Sequence, residues 1–251
     1  MNRRTALTSA TAATAALTLT QGPAMAQSND KTVAIIGTGR MGSAFGTNFA
    51  RIGYTVIYGS RNPADAKVAG VVAATPKSRA ASQKDAAAAA NIVVVAAPWT
   101  GLEATVKGLG ELTGKLVLDP TNAIAFGKGG GAMAVDSSAG ELMQGWAPGA
   151  KVVKAFNTVG YFVIADPSQI DGRVACFLAA DDAEAKARAA EIVTAMGFEA
   201  VDVGAIKNAR VLEGMSTLYM VPYMSGKQDQ RFEYAVRRTG HVKLGPVRTA
   251  G

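Results

Sequence analysis

Three glycines at a fixed spacing follow the first apolar run of the chain. Gly37, Gly39 and Gly42 come directly after residues 32–36, which have the pattern of a short buried strand. The first glycine allows a tight turn, the second lets the backbone approach a pyrophosphate, and the third lets the next helix pack on the strand. Free N–H groups and the positive dipole end at the start of that helix attract an anion. The spacing therefore predicts a dinucleotide-binding turn, and an ordinary strand–helix turn is the alternative.

A second candidate site lies at the end of the second predicted strand, residues 54–58. Sites for NAD normally place a carboxylate there, which binds the 2′-hydroxyl of the ribose. Residues 59–63 of this chain contain no carboxylate and offer the hydroxyl of Ser60 and the guanidinium of Arg61. A guanidinium binds a phosphate through two N–H groups, and the hydroxyl can donate to the same phosphate. These residues favour NADP(H) over NAD(H), unless Arg61 is a solvated arginine in a turn.

Residues that follow later predicted strands are candidates for contacts with the second half of the dinucleotide and with a substrate. Ala97, Pro98 and Trp99 come directly after a buried strand, at the edge where open α/β sheets bind ligands. Trp99 either borders the nicotinamide or packs in the core. Asn122 and Asn157 also follow strand ends. Their amides either bind the carboxamide or the substrate, or they cap turns.

Strand-like and helix-like segments alternate along the chain. We predict strands at residues 32–36, 54–58, 91–96, 115–118, 151–155, 174–178 and 199–203, the last returning to the same sheet. We predict helices at residues 41–52, 63–73, 82–90, 100–108, 138–146, 181–196 and 206–224. Thr100 can cap its helix, Ser138 and Glu141 have capping-box spacing, and residues 129–131 are expected to form a mobile loop. The alternation predicts an α/β fold, a Rossmann-type doubly wound parallel sheet with a small C-terminal helical part.

The composition excludes several kinds of site. The chain has 251 residues, which suits one large α/β domain. It has one cysteine, Cys176, and one histidine, His241, so we expect no internal disulfide and no metal site. Because there is no Ser/His/Asp set and no Cys/His pair, we predict no catalytic side chain. Hydride transfer needs none, since it requires two redox rings with their reacting carbons about 3–3.5 Å apart and water excluded.

The first 26 residues have the pattern of a secretory signal peptide. Arg3 and Arg4 form a cationic start, an apolar run follows at residues 10–19, and the sequence Ala-Met-Ala ends at Ala26. This order predicts a cleaved signal of the twin-arginine type and a periplasmic or secreted protein, with an amphipathic tail as the alternative. The apolar run is too short for a permanent membrane helix, so we expect no integral membrane segment after cleavage.

The excess positive charge is concentrated near the C-terminus. Residues 226–251 contain six basic and two acidic residues, and the rest of the mature chain is nearly neutral. Nucleic-acid binding needs a basic face on the folded body, so we expect no nucleic-acid partner. We expect the tail to be solvated, with contact to anionic lipid or to another subunit as the alternatives. We divide the chain into a signal peptide (1–26), an NADP-binding Rossmann domain (27–205), a C-terminal helical part (206–225) and a basic tail (226–251).

An ordered set of short motifs resembles the F420-dependent NADP reductases. The set comprises residues 36–42, 59–61, 97–99, 154–158, 181–186 and 203–210, followed by Glu213. The similarity runs from about Lys31 to about Tyr223 and covers nearly all of the mature chain. The resemblance implies a Rossmann domain that transfers a hydride between NADP(H) and a deazaflavin, coenzyme F420, held over the nicotinamide. It also implies a homodimer.

The resemblance also assigns roles to individual residues. It implies that NADP is held by Thr38, Gly39, Arg40, Met41, Ser60 and Arg61. It places Pro98 and Asn157 near the two facing rings.

Two other functions are compatible with the same dinucleotide site. One is an NADPH-dependent imine, ketone or ferric-chelate reductase, in which Tyr161, Tyr219 or water would supply the substrate proton. The other is an exported NADP-binding module without catalytic activity. For the F420-dependent reductase and for the imine, ketone or ferric-chelate reductase, the expected partner is a small-molecule redox acceptor.

Overall fold

The computed structural model of this chain describes residues 31–127 and 130–240. The predicted signal peptide, Gly129 of the predicted loop and His241 lie outside the described residues. No helix within the described residues is both long enough and apolar enough to cross a membrane.

The described residues form ten β-strands, six of which make one parallel sheet. The strands are β1 (Thr32–Ile36), β2 (Thr55–Ser60), β3 (Ser78–Ser82), β4 (Ile92–Val95), β5 (Leu116–Asp119), β6 (Ile124–Gly127), β7 (Gly130–Met133), β8 (Lys151–Lys154), β9 (Ala175–Leu178) and β10 (Glu199–Asp202). The order in the parallel sheet is β3-β2-β1-β4-β5-β8. The direction of winding reverses between β1 and β4, and open α/β sheets bind ligands beyond the carboxyl ends of the strands at such a point. The predicted doubly wound parallel sheet is confirmed.

Helices cover both faces of this sheet. Within the described residues they are α1 (Arg40–Arg51), α2 (Ala66–Ala74), α3 (Gln83–Ala88), α4 (Leu102–Gly108), α5 (Ala139–Trp146), α6 (Tyr161–Ala165), α7 (Ala183–Ala195) and α8 (Ala209–Met224). Helices α1, α6 and α7 pack on one face, around Phe45 and Ile192. Helices α3, α4 and α5 pack on the other face, around Val106 and Met143. Helix α8 forms the predicted C-terminal helical part.

The apolar runs become central strands because both faces of the sheet are covered. Residues 33–36 of β1 and 93–95 of β4 have no exposed surface. The serine half of the predicted capping box is also present, since the Ser138 hydroxyl accepts a hydrogen bond from the N–H of Glu141 (3.1 Å) at the start of α5, and it donates to the Glu141 carboxylate (2.8 Å). Sequence pattern and local structure agree best at these buried and capped positions.

The structure differs from three local predictions, and in the first two the segments are short and weakly apolar. Strand β3 lies between two predicted helices and pairs with β2 at the sheet edge, so it needs no continuous apolar run. Strands β6 and β7 form an antiparallel hairpin where a loop was predicted, and Gly130 and Gly131 belong to β7. Thr100 does not cap α4, because the capping position is taken by Gly101 in a left-handed conformation (φ +82°).

Strands β9 and β10 were expected in the main sheet but form a separate parallel pair. After β8 the chain turns sharply at Phe156, which has a positive φ of 62°. Further along the chain, the residue after β9 meets β8 in the antiparallel direction, at a bridge between Lys154 and Ala179.

Part of the C-terminal segment packs on the body, although the sequence analysis expected a solvated tail. The N–H of Ala175 donates a hydrogen bond to the carbonyl of Tyr234 (2.7 Å). The hydroxyl of Tyr234 donates to the carbonyl of Met215 in α8 (2.9 Å). Arg238 also forms an ion pair with Glu199 at the start of β10. Aromatic side chains in this segment explain the difference, because they bury apolar surface that the charge pattern does not reveal.

Candidate functional site

The glycine turn joins β1 to α1 and leaves its middle residue open to a ligand. Gly37 has a φ of +117°, and a Cβ on it would lie 2.4 Å from the carbonyl oxygen of Ala96. A Cβ on Gly42 would lie 2.0 Å from the carbonyl oxygen of Gly37. In contrast, a Cβ on Gly39 would have no heavy atom within 4 Å. The first and third glycines are therefore required by packing, whereas the second leaves space at the position expected for a pyrophosphate.

The start of α1 presents unpaired backbone donors next to this turn. Gly39 is the capping residue and supplies no side-chain acceptor to the helix. The first N–H groups of a helix have no partner within the helix, and together with the helix dipole they favour a bound anion. Thr38 and Met41 are half-buried on either side, and Arg40 is exposed with its guanidinium carbon 5.6 Å from the centre of the Tyr161 ring. The predicted cofactor-binding residues of this turn thus lie together.

Ser60 and Arg61 lie across from the turn, at the carboxyl end of β2. The hydroxyl oxygen of Ser60 accepts a hydrogen bond from the N–H of Asn62 (3.2 Å), which leaves its proton available to donate. Arg61 is exposed and forms no ion pair with any described residue. Asp65, the next carboxylate along the chain, caps α2 by accepting from the N–H of Lys67 (2.8 Å). The guanidinium is therefore available to a phosphate.

A cavity of about 350 Å³ connects these elements, and we call it the dinucleotide cavity. Its lining includes most of the predicted cofactor-binding residues, namely Gly37, Thr38, Gly39, Ser60, Arg61, Ala97 and Pro98. Gln83 and Thr105 also line it, from α3 and α4, although the sequence analysis did not single them out. Gln83 begins the helix that follows the unpredicted strand β3, so its position could not be inferred from the sequence.

A second cavity of about 420 Å³ adjoins the first, and we call it the acceptor cavity. The two cavities share the lining residues Ala96, Ala97, Pro98 and Thr100. The acceptor cavity is otherwise lined by Met41, Trp99, Pro120, Thr121, Asn122, Ile124, Phe126 and Met220. Most of this lining is apolar, with Thr100, Thr121 and Asn122 as the polar residues. A largely apolar lining with a few polar groups is typical of a site for a small organic molecule.

Trp99 both borders the acceptor cavity and packs on the body, so the two alternatives for this residue are compatible. Its ring is half-buried and stacks on Trp146, with centroids 6.3 Å apart and an angle of 28° between the planes. This contact joins the strand end to α5 and restricts the indole on the cavity wall.

Asn122 lines the acceptor cavity, whereas Asn157 lies behind it. Asn157 donates through Nδ2 to Asn122 Oδ1 (3.0 Å) and to the carbonyl of Leu212 (2.8 Å). Asn122 donates in return to the carbonyl of Asn157 (3.0 Å). Asn157 Oδ1 is buried and accepts no hydrogen bond from the described residues. Asn157 therefore orients Asn122, and its own contact with a substrate stays a prediction.

The described residues offer no activated nucleophile or metal cluster at this site. Cys176 is fully buried, and burial raises the pKa of its thiol to about 12. Its sulfur accepts a hydrogen bond from the N–H of Phe156 (3.2 Å), which favours a structural role. No group of three or more His, Cys, Asp or Glu side chains in the described ranges is arranged to hold a metal ion. The chemistry available at this site is binding and positioning.

The fold and the site together define a dinucleotide-dependent oxidoreductase. A model of the family described as "NADP oxidoreductase coenzyme F420-dependent" matches residues 32–123. The F420-dependent NADP reductase of Methanothermobacter marburgensis is 30% identical over 198 residues, which cover 72% of this chain and 87% of that protein. The chain belongs to the F420-dependent NADP reductase family, whose members are NADP-dependent oxidoreductases.

Two further relatives extend the comparison. The crystal structure of a candidate F420-dependent NADP reductase from Arthrobacter sp. FB24 superposes with a TM-score of 0.74 at 27% identity, covering 81% of this chain and 99% of that one. The metalloreductase STEAP3 of Rattus norvegicus is 27% identical over 184 residues, which cover 73% of this chain. This chain spans 36% of the length of that metalloreductase.

Proposed function

We propose that this protein transfers a hydride between NADPH and the deazaflavin coenzyme F420. The observation that carries the proposal is the adjacency of two cavities that share four lining residues, one of them built around a glycine turn and the other largely apolar. They meet at residues 96–98, beyond the carboxyl end of β4. Two ring systems bound in the two cavities would face each other there, which is the arrangement that hydride transfer requires.

The residues of the dinucleotide cavity suit NADP(H). The open space at Gly39 and the unpaired N–H groups at the start of α1 would hold the pyrophosphate. Arg61 and Ser60 would hold the 2′-phosphate, because a guanidinium forms paired charge-assisted hydrogen bonds with phosphate oxygens. NADPH, when bound, supplies a hydride from its nicotinamide ring.

The residues of the acceptor cavity position the acceptor and exclude water. Met41, Pro98 and Phe126 provide apolar surface from three different segments of the chain, namely α1, the residues after β4, and β6. Trp99 is held by its stacking on Trp146, so this wall is rigid. Asn122 is oriented by Asn157 and can hydrogen-bond the edge of a heteroaromatic ring. The hydride passes from the nicotinamide to a carbon of the deazaflavin, and the proton that completes the reduced deazaflavin comes from solvent, so the chain contributes geometry and needs no side-chain acid.

An isotope experiment tests this proposal directly. Purified full-length protein is mixed with NADPH that carries deuterium at the transferred position, and with F420. We expect oxidation of NADPH, reduction of F420, and deuterium bound to carbon in the reduced F420. Unlabelled NADPH in deuterated water should give no carbon-bound deuterium, because the proton taken from solvent sits on an exchangeable position. Carbon-bound label from the solvent, or NADPH binding without F420 reduction, would contradict the proposal.

Ferric-chelate reduction is a second candidate, favoured by the similarity to the metalloreductase STEAP3. A hydride carries two electrons, whereas a ferric ion accepts one, so this reaction requires an intermediate carrier such as a flavin. The same assay with a ferric chelate, in the presence and absence of added flavin, separates the two functions. NADPH oxidation that needs the chelate and flavin, and does not occur with F420, would replace the first proposal by the second.

A further inference from the structure

A buried ionic cluster lies behind the acceptor cavity and is not used in hydride transfer. Lys154 Nζ lies 2.7 Å from Asp119 Oδ2 and 2.7 Å from Glu213 Oε1. The same ammonium group donates a hydrogen bond to the carbonyl oxygen of Thr121 (2.7 Å). All three charged side chains have no exposed surface. Burying charges opposes folding through their desolvation, so packing alone does not explain the cluster.

Glu213, on α8, closes the base of the hairpin formed by β6 and β7. Its Oε2 accepts hydrogen bonds from the N–H groups of Ala123 (2.9 Å) and Ala139 (3.0 Å). Its Oε1 accepts from the N–H of Gly140 (3.3 Å). Ala123 immediately precedes β6, and Ala139 is the first residue of α5. One carboxylate therefore ties together both ends of the segment that carries the hairpin.

The hairpin held in this way forms part of the acceptor cavity. Ile124 and Phe126, both in β6, line the cavity, and so does Met220 from the same helix as Glu213. A change in the position of the hairpin base would move these apolar residues relative to Pro98, which lines the same cavity from the segment after β4.

Asp119 holds the turn at residues 120–122, which lines the same cavity. Its Oδ1 accepts hydrogen bonds from the N–H (2.8 Å) and the hydroxyl (2.6 Å) of Thr121. Pro120, Thr121 and Asn122 all line the acceptor cavity. Since Lys154 binds both carboxylates and the carbonyl of Thr121, it joins the turn to the hairpin base.

The cluster does not contact the dinucleotide cavity. The hydrogen bonds and ion pairs of its three side chains, within the described residues, reach neither the glycine turn nor Ser60 nor Arg61. We propose that Glu213, acting with Lys154 and Asp119, is a positioning residue for the acceptor. Glu213 fixes the position of the hairpin and turn residues that line the acceptor cavity, relative to the dinucleotide, and it contributes little to NADPH binding. This inference rests on the proposed function, because it assigns the acceptor to this cavity.

The variant Glu213→Gln tests the inference while keeping the size of the side chain, and its melting temperature is measured first to show that it folds. The amide has nearly the same shape, and the remaining Asp119 and Lys154 form a balanced pair. However, a single amide oxygen cannot serve both Lys154 and the backbone N–H groups, so one of the two connections is lost. We expect kcat/KM for F420 to fall by about tenfold or more, since small displacements of reacting groups slow transfer strongly. The dissociation constant for NADPH should change by less than about twofold.

Arg210→Gln is the matched control on the same helix. Arg210 lies less than one turn from Glu213 and forms an exposed ion pair with Glu141 of α5 (2.7 Å). Loss of this ion pair weakens the contact between α8 and α5 and leaves the hydrogen bonds of Glu213 in place. We expect this variant to keep the wild-type kcat/KM for F420. An equal loss in both variants would show that Glu213 acts only through helix packing and would overturn the proposal.

Amide hydrogen exchange gives a second readout that does not depend on the acceptor. Glu213→Gln should speed exchange at Ala123, at Ala139 and in the hairpin, and leave α1 unchanged. If wild-type protein fails to reduce F420, the proposed function is wrong, and the exchange experiment still decides the structural inference. Unchanged exchange in the hairpin, or an unchanged kcat/KM with an active wild type, would overturn the positioning role.

Discussion

Replacing Arg61 by glutamate is expected to remove the preference for NADPH over NADH. A hydrogen bond to a charged group contributes about 1.5–3 kcal/mol. Two like charges about 4 Å apart in water repel by about 1 kcal/mol. Together these amount to about 2.5–4 kcal/mol, or roughly 60- to 700-fold in binding. Because Arg61 is exposed, solvent screening favours the lower end, and we expect the KM for NADPH to rise about 60-fold.

The assay compares NADPH with NADH and uses Arg79→Glu as a control. Arg79 lies in β3, is exposed, and lines neither cavity, yet its replacement changes the net charge of the chain equally. We expect Arg79→Glu to leave the KM for NADPH and the KM for NADH unchanged. Arg61→Glu should change the KM for NADH by less than about threefold. If Arg61→Glu raised the KM for NADPH and the KM for NADH equally, the assignment of Arg61 to the 2′-phosphate would be refuted.

Three further predictions address the turn, the C-terminal segment and the leader. Gly39→Val should weaken NADPH and NADH binding alike by about 100-fold while thermal unfolding stays near wild type, because Gly39 has an extended backbone and open space at its Cβ. Binding measured by calorimetry checks this, and equal affinity in the variant would contradict it. Burial raises the pKa of Glu233 to about 7, although the hydroxyl of Tyr219 donates to it (2.8 Å). The folded chain therefore binds an extra proton between about pH 4.5 and 7, so stability should fall as pH rises through this range, and Glu233→Gln should remove that loss. Melting temperatures at pH 5 and 8 test it, and identical pH profiles for the two proteins would exclude it. Finally, we propose export by the twin-arginine route: replacing Arg3 and Arg4 by lysines should leave the precursor in the cytoplasm on cell fractionation, and unchanged export would reject this route.

The main sheet could be predicted because its central strands are continuous apolar runs. Residues 33–36 and 93–95 are buried on both faces of the sheet, and a strand in that position consists of consecutive apolar residues, as these segments do. The glycine turn was also predictable from its spacing, since Gly37 and Gly42 meet steric demands of the fold and Gly39 leaves space for a ligand. Strand β3 was not, because an edge strand of Ser, Arg and Ala has neither an apolar run nor a clear alternation.

The acceptor cavity was harder to predict than the dinucleotide cavity. Phe126 and Met220 meet there from segments far apart in the chain, and a local pattern carries no information about that contact. Lys154 shows the same limit, because a lysine at a strand end would ordinarily be expected at the surface. Its burial depends on Glu213, a partner on a helix much later in the sequence. Where a side chain is held by residues far away in the sequence, its position can be found only from the three-dimensional structure.

Calorimetry of the full-length protein with NADPH and with NADH tests the central claim most directly. The claim is that the glycine turn and Arg61 bind a dinucleotide with a 2′-phosphate. We predict saturable binding of both, with NADPH bound at least about tenfold more tightly, as expected for one additional charge-assisted interaction. No heat with either dinucleotide, or equal affinity for the two, would contradict the account.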